Sequence, residues 1–140
     1  MSEEIILKTI LTIILLPITL LHIYWAFDGK IALDGAWPTD LSQINQKLSS
    51  KTFFIIKFLL LLPVILVLIC LIASFYIVPH NFIIDYQTLY MIFSLIFILR
   101  GLSGWIINRF SSKSLFKKRN TLIYSPVAFL IGTLFYLLAN

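Results

Sequence analysis

Charge and cysteine are what this sequence has least of. Only 12% of its 140 residues are charged, and its single cysteine, Cys70, stands inside an apolar run. A soluble domain carries about 25% charged and about 45–50% apolar residues. Here 60% of the residues are hydrophobic and the mean hydropathy is +0.99, so the expected solvent is lipid. One cysteine excludes an intramolecular disulfide and dithiol redox chemistry, and with only two histidines it excludes a Cys/His zinc site. Six acidic residues occur, none clearly within an apolar run. That counts against a proton-coupled exporter, which relies on a carboxylate inside a span. The sequence holds no glycine-rich phosphate loop, internal repeat or low-complexity tract. No metal, cofactor or nucleic-acid partner is expected, because the net charge of +5 comes mostly from one segment and reads as a topology signal.

What is present is four long apolar runs. A spanning helix needs about 20 apolar residues at ~1.5 Å each. Residues 5–27, 52–78, 86–107 and 122–139 meet that need, in a chain whose length allows one domain, 1–140. Runs this long without turn residues exceed the ~10 residues of a barrel strand. The expected fold is therefore an all-α membrane protein, a four-transmembrane-helix bundle. The first run follows Glu3 and Glu4 rather than a basic cluster and precedes no small-residue cleavage site, so it is expected to be retained rather than cleaved as a signal peptide.

Lysine and arginine counts in the short loops set the expected orientation. Between residues 27 and 52 lie Lys30, Lys47 and Lys51; before the fourth run lie Arg109, Lys113, Lys117, Lys118 and Arg119. The opposite side has Lys8 alone. This predicts basic loops in the cytoplasm and both termini extracytoplasmic, in a multi-pass protein of the inner (plasma) membrane. In the first loop, Pro38-Thr39-Asp40 followed by Leu41, Ile44 and Leu48 predicts a short amphipathic helix on the membrane surface.

Ionisable groups within a span carry a default functional hypothesis because they are costly there. Three qualify: His22, Lys57 and Arg100. At helical rise His22 lies about 7.5 Å, and Arg100 about 10 Å, from the basic end of its run. Trp25, Trp37, Trp105 and Tyr124 fall in the same layer. Lys57 is expected to snorkel its ammonium to the surface, and Trp105 to join an interfacial aromatic belt. Arg100 is too deep for easy snorkelling and is expected to turn toward carbonyls or a carboxylate. In Tyr124-Ser125-Pro126 the serine can cap and the proline can take the first helical position, so this motif is expected to open the fourth helix. His22, Trp25, Trp37, Arg100, Tyr124 and Ser125 are thus the candidate ligand-binding residues, with no catalytic residue assigned.

The run His22-Ile23-Tyr24-Trp25-Ala26-Phe27-Asp28-Gly29, then Trp37-Pro38, Arg100-Gly101 and Asn120 through Tyr124-Ser125-Pro126, resembles an uncharacterised family of small bacterial four-helix membrane proteins. That family shows a His-x-Tyr-Trp-Ala-like motif ending helix one, an arginine late in helix three and Tyr-Ser-Pro opening helix four. The resemblance covers most of the chain and implies an architecture and a choice of residues, without an activity. The family usually has aspartate where this chain has Asn120, so an Asp–Arg ion pair is not available here.

Three function classes follow. The favoured one is a non-enzymatic binding or accessory protein, its inner-leaflet cluster contacting an anionic lipid head group, small amphiphile or protein partner. A small-molecule transporter is the second. A membrane enzyme using His22 as acid or base is the third, and it lacks a paired acid or thiol within the spans.

Overall fold

In the computed structural model, residues 2–27, 29, 50–76, 85–111 and 113–140 are described, and all of their regular structure is helical. Among the described residues four helices follow in chain order: α1 (Glu3–Ala26), α2 (Ser50–Tyr76), α3 (Tyr86–Ile107) and α4 (Ser114–Ala139). α1, α3 and α4 are each long and apolar enough to cross a membrane. α2 has 27 residues and contains the apolar run Leu61–Ala73. Large apolar side chains cover the outer faces, with Ile13 65%, Leu62 62% and Leu122 65% exposed. A surface like this needs lipid rather than water around it, as in a multi-pass membrane protein.

The boundaries expected for the first three helices hold to within two residues, since each is set by the ends of an apolar run. The fourth does not. The helix begins at Ser114 rather than at Tyr124-Ser125-Pro126, so that motif lies inside it. The first turns, Ser114–Arg119, are polar and carry Lys117, Lys118 and Arg119. The stretch from Asn120 to Ala139 is then about 20 residues, ~30 Å, which matches a bilayer core. A charged amphiphilic start is invisible to a reading based on apolar runs, because Lys and Arg favour helices but depress hydropathy.

The helices associate as two antiparallel pairs, α1 with α2 and, more intimately, α3 with α4, joined by contacts of α1 with the second half of α4. The apolar core fills one half of the bundle. Leu11 and Leu15 meet Val67, Leu68 and Leu71, Tyr86, Tyr90 and Phe93, and Ile131 and Phe135. Phe135 is fully buried, stacked on Tyr90 at 5.9 Å and Phe97 at 6.0 Å, with Phe93 edge-on at 5.4 Å. Toward the other end α3 and α4 approach through small residues. A Cβ on Gly132 would lie 2.7 Å from Ile98 Cγ1, and one on Gly101 would lie 3.0 Å from both Phe129 N and Ser125 O. A side chain at either glycine would push the facing backbone away, and this close packing replaces the hydrophobic drive that lipid cannot supply.

Trp37 and the segment with Leu41, Ile44 and Leu48 lie outside the described residues, as does the side chain of Lys57.

Candidate functional site

The α4 segment around Pro126 explains the local geometry. Proline has no N–H, and its ring crowds the carbonyl four residues earlier. The helix responds by widening. Asn120–Tyr124 form a π-helical turn, in which the Ser125 N–H bonds to the carbonyl of Asn120, five residues back. π-turns are rare and concentrate at functional positions.

The turn carries Asn120 into the α3–α4 seam, where it is completely buried. Its Nδ2 donates to the carbonyl of Gly104 at 2.5 Å and to Oδ1 of Asn108 at 2.8 Å. Asn108 in turn donates from Nδ2 to Thr121 Oγ1 at 2.7 Å. A buried amide donor must find acceptors, and here both of its hydrogens do. Among the described residues its Oδ1 finds no partner, nor does the Oγ of Ser125, which is also completely buried.

Ser125 Oγ sits where a Cβ on Gly104 would fall, and Nη1 of Arg100 lies 3.0 Å from that same point. Gly104 therefore makes room for the serine hydroxyl and the guanidinium together. Arg100 remains exposed on the bundle surface. Among the described residues its guanidinium makes no hydrogen bond or ion pair, so the expected carbonyl or carboxylate partner is not found there. Tyr124 is half-buried one residue before Ser125.

His22 and Trp25 form a separate group on α1. His22 Nδ1 donates to the carbonyl of Ile18 at 2.8 Å, and its ring tilts against Trp25 at 5.1 Å. Among the described residues no hydrogen bond, ion pair or ring contact links His22 to Arg100, Tyr124 or Ser125. Trp105 is 46% exposed, in keeping with an interfacial position.

Of the six candidate residues, the structure brings Arg100 and Ser125 together, with Tyr124 adjacent in the chain. No family model, curated protein or solved structure matches this chain. Its chemistry is therefore read from its own residues.

The seam also holds residues that the apolar runs do not reveal: Gly104, Asn108, Asn120 and Thr121. Their signal in the sequence is slight, two amides flanking a basic loop and a Gly101/Gly104 pair three residues apart, and it needs the α3–α4 crossing to acquire meaning.

Proposed function

We propose that this protein is a non-enzymatic membrane binding protein whose Arg100–Ser125 site receives an anionic head group. The observation that carries it is the state of Arg100. Its guanidinium lies against Gly104, beside the unpaired hydroxyl of Ser125, and makes no hydrogen bond or ion pair among the described residues while facing the bundle surface. An arginine charge in an apolar span is costly unless acceptors reach it, and guanidinium matches phosphate oxygens two at a time. At about 10 Å from the end of its helix it lies below the head groups, so a lipid phosphate that meets it must be drawn inward by local thinning of the bilayer.

The basic residues Arg109, Lys113, Lys117, Lys118 and Arg119 occupy the same end. They support an orientation with that end in the cytoplasm of a bacterial inner membrane, where anionic lipid heads collect. His22 and Trp25 lie toward the same end on α1 but form their own group and are not part of this site.

Native mass spectrometry of the detergent-purified protein tests this with phosphatidylglycerol against phosphatidylcholine, and with inorganic phosphate as a competitor. The expected result is retention of phosphatidylglycerol that drops about tenfold in Arg100→Gln, consistent with loss of charged hydrogen bonds. Displacement by inorganic phosphate would mark the anion alone as the ligand; resistance to it would mark the lipid. Equal retention of both lipids in both proteins would defeat the proposal.

A further inference from the structure

At the end opposite Arg100, the starts of α1 and α3 and the close of α4 surround an open cavity of about 410 Å³. That falls within the ~300–1,000 Å³ of ordinary small-molecule sites. We propose that it binds a small organic cation with an apolar body.

Among the described residues that line the cavity the one cation is already paired. Lys8 is 7% exposed, and its Nζ lies 2.6 Å from Glu4 Oε1, one helical turn away. With that pair neutral, Glu3 and Asp85 leave the described part of the lining two charges negative, and neither makes an ion pair among the described residues. An anionic ligand is thereby disfavoured. Asp85 stands at the N-cap of α3, yet its side chain makes no capping bond to the helix N–H groups, so its carboxylate is open to a ligand.

Two buried aromatic rings complete the chemistry. Tyr86 and Tyr90 line the cavity and stack at 6.3 Å. Tyrosine faces attract cations through the ring quadrupole. Leu7, Leu137 and Leu138 supply an apolar wall for the rest of the molecule. A bare metal ion fits less well: among the described residues no three His, Cys, Asp or Glu side chains are grouped to hold one. The first-turn carboxylates also offset the positive helix ends. That role alone predicts lost stability on their removal without any change in ligand binding.

The test is isothermal titration of the full chain in phosphatidylcholine nanodiscs, with benzyltrimethylammonium as the probe. Phenylmethanesulfonate, similar in shape and opposite in charge, is the control. Saturable binding of the cation is expected, with the anion at least about tenfold weaker. Glu3→Gln and Asp85→Asn should each weaken the cation about threefold, in the range for exposed charge pairs. Leu138→Trp should fill the cavity and abolish binding without touching a charge. Arg100→Gln should leave it unchanged, which separates this site from the one at the other end. Comparable affinity for the anion, no saturable binding, or an unchanged affinity in the Glu3→Gln/Asp85→Asn double variant would overturn the proposal.

Discussion

Asn120 donates one amide hydrogen to the backbone of Gly104 and the other to Asn108, and so ties α4 to α3 where the apolar core gives out. The bond to Gly104 is buried and the one to Asn108 part-buried. Replacing Asn120 by aspartate sets a carboxylate against two acceptors, and about 3 kcal/mol of stability should be lost. Alanine should cost about 1–2 kcal/mol, because both side-chain bonds are lost while the Gly104 carbonyl keeps the Asn108 N–H as a donor. The unfolding midpoint in mixed micelles, followed by circular dichroism, reads both; an aspartate variant as stable as the native chain would contradict the bonding described.

Gly104 and Ser125 should behave as a coupled pair. A methyl at Gly104 falls on Ser125 Oγ and crowds Arg100. Gly104→Ala is expected to destabilise by about 1–3 kcal/mol, as overpacking does. Removing the hydroxyl in Gly104→Ala/Ser125→Ala should recover about 1 kcal/mol, a coupling typical of residues in contact. Strictly additive effects in the double-variant cycle would mean that the two side chains do not meet.

At the opposite half of the bundle Phe135 should dominate stability. It is fully buried against Tyr90, Phe93 and Phe97. Phe135→Ala is expected to lower stability by about 2 kcal/mol. That is less than a water-soluble core would lose, because lipid solvates the unpacked helix and only packing and cavity terms are forfeited. Phe129→Ala, at a position 42% exposed to lipid, should cost under about 1 kcal/mol in the same assay.

The proposed orientation has its own readout. In a Cys70→Ala background, a cysteine at Leu115 should react with an impermeant maleimide only after the cells are opened. One at Gln87, beside the cavity on the other end, should react in intact cells. The reverse pattern would move the Arg100 site to the outer face.

Much of the fold is legible in the sequence, and the reasons are local. α1, α2 and α3 can be bounded from their apolar runs because a bilayer demands a fixed apolar length and forbids unpaired backbone. The start of α4 cannot, since Lys117, Lys118 and Arg119 interrupt the hydropathy without interrupting the helix. Proline misleads in the same place: Pro126 suits a helix start, but a π-turn admits it within a continuous helix.

By itself, then, the sequence determined the apolar surroundings, the helical class and the four helices found among the described residues. Those depend on composition and on spacing along one chain. The tertiary structure alone decided which polar residues meet. It joined Arg100 to Ser125 across Gly104, locked Asn120 into the α3–α4 seam, kept His22 bonded to its own helix, and opened a cavity beside the Glu4–Lys8 pair. Such meetings depend on the rotation of each helix about its axis. That rotation is set by close packing between small residues on different helices, and no single helix carries it.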